Sequence, residues 1–178
     1  MQKKGLITVL CLLSFVVSAA GPYAGQQHRS IKALSEYEIT GLLTGKGMGL
    51  AKAGELNDYP GPKHVLELED KLILSKEQLN KTKQLFTEME KQAIPLGEQI
   101  VAKEKHLNHL FASKSISENS LKQTLMELGK LRAELRFVHL NTHLKQKELM
   151  SEKQIRQYKH LRGYINGKGH HGGHHGHN

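Results

Sequence analysis

Two copies of one helix-start motif constrain the fold of this chain more than any other feature. The first copy reads Leu74-Ser75-Lys76-Glu77-Gln78, and the second reads Met150-Ser151-Glu152-Lys153-Gln154. In each copy the serine can cap a helix, the glutamine three residues later can close a capping box, and apolar residues flank the box. Apolar residues at helical spacing fill the sequence between the copies. The repeat therefore predicts helix starts that bracket one long helical hairpin.

The hairpin itself consists of two long predicted helices. The first spans residues 76–111 and the second spans residues 118–149, with a short turn at residues 112–117 between them. Helices joined by a short turn pack as antiparallel neighbours. Pro95 lies in the middle of the first helix, where it removes a backbone hydrogen bond, so we expect a kink there.

Shorter helical patterns flank the hairpin, so the fold class is all-α. They cover residues 31–43, 50–56, 64–72 and 152–162. Glycine-rich bends separate the first of them, Pro62 is well placed to begin a helix, and Gly163 can end the last one in the left-handed conformation.

The N-terminus has the pattern of a secretory signal peptide. Lys3 and Lys4 precede an apolar run at residues 6–17 and then small residues, which predicts cleavage after residue 19 or 20 and a periplasmic protein. The apolar run is too short to span a bilayer unaided. Cys11, the single cysteine, would be removed with it, so the mature chain would have no thiolate metal ligand and no disulfide.

The chain divides into four predicted parts. Residues 1–20 are the signal peptide, residues 21–62 an N-terminal segment, residues 63–164 the hairpin domain, and residues 165–178 a disordered tail of histidine and glycine. Loss of the two signal lysines lowers the formal charge from +9 to +7. A basic charge often indicates nucleic-acid binding, but export argues against it here.

A single hairpin cannot cover both of its own apolar flanks. A homodimer is the simplest way to bury them, and it would leave a bent, partly apolar face.

On its paired motif, the chain resembles the periplasmic Spy/CpxP-like superfamily. Members carry a paired leucine-threonine-x-x-glutamine motif, which this chain matches with serine for threonine in both copies and with Met150 for the second leucine. The match covers roughly residues 64–164. The resemblance implies an all-α hairpin that dimerises into a curved cradle, and it implies either an ATP-independent holding chaperone or a metal-binding stress protein.

A holding chaperone needs a surface that mixes apolar and basic side chains, because charge speeds capture and modest apolar contact lets a client fold while it is bound. The alternative is that the apolar stripe is simply the core of the hairpin. The candidate client-binding residues are Phe86, Met89, Leu96, Ile100, Lys103 and Arg132.

The strongest metal signal is the tail, because neutral imidazoles bind Zn²⁺, Ni²⁺ and Cu²⁺ and glycine lets the backbone wrap around an ion. A solvated tail without a ligand is the alternative. The five tail histidines are His170, His171, His174, His175 and His177.

A second metal signal is His139 with His143. Their spacing of i and i+4 places both rings on one face of a helix, where they can share an ion. Glu88 or Glu90 on the facing helix is placed to add a carboxylate, and the resemblance supports such a His-x-x-x-His site. The alternative is that both are surface or hydrogen-bonded interior histidines.

No catalytic motif is present in the sequence, so we do not expect an enzyme. The leading hypothesis is a periplasmic stress or metal-resistance protein that binds divalent transition metals and holds unfolded periplasmic proteins without nucleotide. The alternative is a metal-responsive sensor or regulator that acts through a membrane partner.

Overall fold

A computed structural model describes residues 21–164 of the chain, and this part is all-helical with no strand. A short 3-10 turn at Gln26–His28 comes before the first α-helix. The seven helices in chain order are α1 (Glu36–Leu43), α2 (Lys52–Glu55), α3 (Pro62–Glu67), α4 (Glu69–Leu72), α5 (Lys76–Ala112), α6 (Glu118–Glu148) and α7 (Glu152–Leu161). The predicted signal peptide and histidine-rich tail lie outside the described residues, so both stay predictions.

The predicted antiparallel hairpin is confirmed as α5 and α6. Side chains meet across it at both ends: Arg132 Nη2 lies 2.6 Å from Glu104 Oε1, and Gln146 Nε2 donates a hydrogen bond of 3.2 Å to Thr82 Oγ1. The turn between the helices falls at residues 113–117, within the turn that the sequence predicts. The bounds of both helices differ from the predicted ones by at most one residue.

Both predicted capping boxes are present. Ser75 Oγ accepts from the Gln78 backbone N–H at 3.1 Å, and Ser151 Oγ accepts from that of Gln154 at 3.3 Å. The glutamine side chains accept in return from the serine backbone N–H groups, at 3.0 and 2.9 Å. The two glutamines also exchange amide hydrogen bonds with each other, at 2.9 and 3.0 Å. The repeated motif therefore joins the start of α5 to the start of α7.

Some short helices differ from their predicted bounds. The helix predicted at residues 31–43 begins only at Glu36, because Ser35 is its N-cap and forms a further capping box with Glu38. The helix predicted at residues 64–72 is divided at Leu68, whose φ of −115° and ψ of 15° are not helical. The helix predicted at residues 50–56 is limited to α2.

The N-terminal segment packs on the hairpin and contributes to its main hydrophobic core. This core contains three residues from the segment and six from the hairpin: Ile31, Leu34, Leu42, Met89, Ala93, Ile100, Leu128, Leu135 and Val138. The sequence predicts that a second copy buries the apolar flanks of the hairpin. The N-terminal segment of the same chain covers part of this apolar surface. Dimerisation itself stays a prediction.

A second core closes the base of the molecule, where α3, α4 and α7 meet. Its buried residues are Val65, Leu72, Met150, Ile155 and Tyr158. The apolar residue that precedes the second capping box thus lies in this core.

Pro95 lies inside α5, which continues through it to Ala112. The kink expected at Pro95 stays a prediction. Within residues 21–164, no helix combines the length and the apolar character needed to cross a bilayer.

Candidate functional site

A cavity of about 660 Å³ lies between the N-terminal segment and the hairpin. The bend before α2, the start of α3 and the facing parts of α5 and α6 form its walls. Both histidines of the predicted pair line it, together with Glu55, Gly61, Glu90 and Tyr164. The structure thus brings both residues of the predicted pair to the wall of one cavity.

His139 is buried without a hydrogen-bond partner. The residue is 3% exposed, and its Nε2 atom has no hydrogen-bond partner among the described residues. Burial lowers the pKa of its imidazole to about 4, and the charge of His143 adds to this effect. The ring is therefore neutral at neutral pH, which is the form that binds metal ions.

His143 has one ring nitrogen fixed by the backbone. Its Nδ1 lies 2.8 Å from the Tyr59 carbonyl oxygen, and because a carbonyl can only accept, Nδ1 carries the proton. Nε2 is then the ring nitrogen that no described hydrogen bond occupies. A Cβ at Gly61 would lie 2.9 Å from this Nε2, so glycine keeps the space beside it open. Histidine ligands of metal ions commonly donate their other N–H to a carbonyl in this way.

Glu55 ties the walls of the cavity together. One of its oxygens accepts from the Tyr158 hydroxyl and, at 3.0 Å, from the Tyr164 hydroxyl, and the other accepts from the Gly61 backbone N–H at 3.1 Å. Burial raises the pKa of the Tyr158 hydroxyl, and its hydrogen bond to the carboxylate raises it further. His143 Nδ1 also lies 3.7 Å from the second oxygen, and Arg162 Nε lies 3.7 Å from the first. The carboxylate therefore positions α3, the end of α7 and the His143 ring.

Of the two carboxylates predicted to join the histidines, only Glu90 lines the cavity. Glu88 is exposed and accepts a hydrogen bond of 3.0 Å from Gln92 Nε2. Within residues 21–164, no three histidine, cysteine, aspartate or glutamate side chains come together closely enough to hold a metal ion. Among the described residues, the two histidines therefore have no third side chain of these types close enough to share an ion with them.

The predicted client-binding residues fall into three environments. Met89 and Ile100 are in the main core, and Phe86 and Leu96 are half-buried against it. The basic pair lies on the surface in ion pairs, Lys103 with Glu127 and Arg132 with Glu104. In this conformation neither Met89 nor Ile100 is accessible to a client.

Sequence reasoning missed the residues that position His143 and tie the cavity walls together, namely Glu55, Tyr59, Gly61, Tyr158 and Tyr164. Glu55 and Tyr158 are 103 residues apart, and no short-range pattern relates them. The one available signal was a glycine directly before a helix-starting proline, because such a glycine often marks a close approach.

Comparisons of the chain with protein-family models, with curated proteins and with solved structures found no match.

Proposed function

We propose that this chain is an exported protein that binds a divalent transition metal ion at His139 and His143. The observation that carries the proposal is the state of the two rings. One is buried, neutral and short of a hydrogen-bond partner, and the other is fixed with its Nε2 lone pair beside a glycine.

The chemistry of the rings supports a transition metal rather than Ca²⁺ or Mg²⁺. Imidazole nitrogen suits Zn²⁺, Ni²⁺ and Cu²⁺, whereas the hard cations prefer sets of oxygen ligands. The carboxylates that line the cavity are Glu55 and Glu90. Glu55 already accepts hydrogen bonds from Gly61 and Tyr164, so Glu90 is the one available to an ion. A neutral His139 also loses no proton when it binds an ion, so binding there carries no deprotonation cost at neutral pH.

Calorimetric titration with Zn²⁺, Ni²⁺ and Cu²⁺ tests the proposal. We expect wild type to bind at least one of these ions, and His143→Ala to weaken binding by about tenfold or more. The matched control is His106→Ala with His109→Ala, which removes two imidazoles near the hairpin turn and should leave the affinity unchanged. No detectable binding in wild type would overturn the proposed function.

A second candidate function, holding of unfolded clients, is favoured by one surface of α6. Met126, Phe137 and Leu144 are all exposed and lie on one stripe of the helix, because 11 and 7 residues are close to whole numbers of turns. Exposed Lys130 and Arg136 flank the stripe. An apolar stripe with basic neighbours suits loose capture of an unfolded chain.

The client-holding candidate predicts that metal-free protein suppresses aggregation of an unfolded client, and that Phe137→Ser weakens this suppression. Tyr23→Ser, at an aromatic outside the stripe that is even more exposed than Phe137, is the control. Equal suppression by both variants would exclude the stripe. The sensor alternative differs in requiring a membrane partner, and the resemblance of the paired motif to the Spy/CpxP-like superfamily is compatible with either role.

A further inference from the structure

The cavity that the histidine pair lines is much larger than one metal ion requires. Its volume of about 660 Å³ lies within the range of small-molecule and cofactor sites, about 300–1,000 Å³. A water molecule, by comparison, takes about 30 Å³ of the liquid. An ion bound at His143 would therefore leave most of the cavity to the body of a larger ligand.

Apolar side chains form much of the cavity wall. Met48 and Phe86 line it and are half-buried, whereas Tyr37 and Leu56 line it with 69% and 52% of their surface exposed. Exposed apolar surface on a concave wall favours a ligand with an apolar body, because such a ligand removes this surface from water.

Basic groups outnumber acidic ones on the same wall, with three lysines and two glutamates. Lys63 pairs with Glu67, whereas Lys46 and Lys52 are exposed and form no ion pair with another described residue. Lys46 belongs to residues 45–49, a glycine-rich segment that lines the cavity throughout. Two available ammonium groups beside apolar surface favour a ligand that also carries carboxylates.

We infer that the cavity binds an iron porphyrin of the haem class, with His143 Nε2 as an axial ligand of the iron. The macrocycle covers the apolar wall, and Lys46 and Lys52 face its propionate groups. The inference goes beyond the proposed function, with which it shares His143 as a ligand.

A metal porphyrin uses all three features of the wall at once. A bare ion leaves the apolar side chains uncovered, and an apolar molecule without a metal leaves the imidazole unused. Haem iron is often held by a single histidine. The contact of His143 Nδ1 with the Tyr59 carbonyl oxygen, at 2.8 Å, fixes the ring as the second shell of a metal-bound histidine does.

Titration of the full, metal-free chain with hemin, followed by absorption in the Soret region, tests the axial ligand. We expect saturable binding with a shifted Soret band in wild type, and in His143→Ala an altered band and an affinity lower by about tenfold or more. Because His143→Ala could disturb the cavity wall, Gly61→Ala is a second variant. It keeps the imidazole and places a methyl group 2.9 Å from its Nε2. Both variants keep every histidine outside the cavity, so unchanged affinity and spectrum in both would overturn the site.

A second arm tests the lysines. Lys46→Gln with Lys52→Gln should weaken hemin binding by about threefold or more, and it should leave binding of hemin dimethyl ester, which has no carboxylate charge, at the wild-type level. Lys105→Gln with Lys122→Gln, at exposed lysines outside the cavity, is the matched control. Equal losses for hemin and its ester would overturn the site, and so would binding of metal-free protoporphyrin as tight as that of hemin.

Calorimetric titration of wild type with bare Zn²⁺, Ni²⁺ and Cu²⁺ separates this inference from the proposed function. Binding of a bare ion without a Soret shift by hemin would overturn the haem site and leave the proposed function intact. Binding of hemin without binding of any bare ion would overturn the proposed function alone.

Discussion

At the residue scale, a glycine in α5 sets how closely the N-terminal segment approaches the hairpin. A Cβ at Gly97 would lie 2.0 Å from the Leu42 carbonyl oxygen, which is backbone and cannot rotate away. Gly129 in α6 offers the opposite case, because nothing lies within 4 Å of a Cβ built there. The same residue type thus has a packing role in one helix and none in the other.

We predict opposite effects of alanine at these two glycines. Gly97→Ala should lower the free energy of unfolding by about 2 kcal/mol or more, because the end of α1 must move away. Gly129→Ala should raise it by about 0.5–1 kcal/mol, because alanine is the better helix former. Urea unfolding followed by circular dichroism measures both. A Gly97→Ala protein as stable as wild type would show that α1 does not lie against α5 as described.

His139 leads to a pH prediction. Its pKa is lowered from 6.5 to about 4 in the folded chain, so folding favours the neutral ring. The stability that depends on this neutral ring is fully present above pH 6.5 and is lost as the pH falls from 6.5 towards 4. In metal-free buffer, the stability of wild type relative to His139→Leu should therefore fall by about 3 kcal/mol over this interval. Urea unfolding at several pH values measures it.

The control for this pH prediction is His160→Leu at an exposed position of α7. The difference in unfolding free energy between His160→Leu and wild type should change little between pH 6.5 and pH 4. If the difference in unfolding free energy between wild type and His139→Leu does not change with pH, this would contradict the burial of a neutral His139 ring.

At the element scale, the sequence predicted the helices that carry their own start and stop signals. The capping boxes at Ser75 and Ser151 and the left-handed Gly163 were all found, because each depends on residues close together in the chain. The helix start at Ser35 was missed although Glu38 follows at the same spacing. The cavity could not be predicted, since its walls join residues such as Glu55 and Tyr164 through tertiary packing alone.

The pair of motif glutamines gives a prediction about how the elements are joined. Besides their mutual hydrogen bonds, Gln78 Nε2 donates to the Leu149 carbonyl at 2.8 Å and Gln154 Nε2 to the Leu72 carbonyl at 3.3 Å. Gln78→Ala or Gln154→Ala alone should each cost about 1–3 kcal/mol of unfolding free energy, because each leaves half-buried partners unsatisfied. The double variant should cost clearly less than the two single costs added together.

Urea unfolding of the four proteins measures this coupling. Gln92→Ala, which removes an exposed glutamine within α5, controls for the loss of a surface amide. Strictly additive costs would show that the two motifs act as independent caps and do not join α5 to α7.

At the scale of the whole molecule, the described residues cover one side of the hairpin and leave apolar side chains of α6 exposed. Ile31, Leu34 and Leu42 of the N-terminal segment pack against the face that carries Ala93, Ile100 and Leu135. The outer face of α6 still exposes Met126, Phe137 and Leu144 over about 27 Å of helix. Three exposed apolar residues on one side of a helix suit an interface, and a second copy is the simplest partner that would cover them.

The last prediction concerns this homodimer. We expect sedimentation velocity to show a dimer at micromolar concentration, and Met126→Lys with Phe137→Lys to shift it to monomer, because charges placed in the centre of an apolar interface lose their hydration. Leu56→Lys with Tyr37→Lys, at exposed apolar positions outside α6, is the matched control and should remain dimeric. A monomeric wild type would contradict the homodimer. A dimer that persists in the α6 variant would place the interface elsewhere and leave the stripe free for a client.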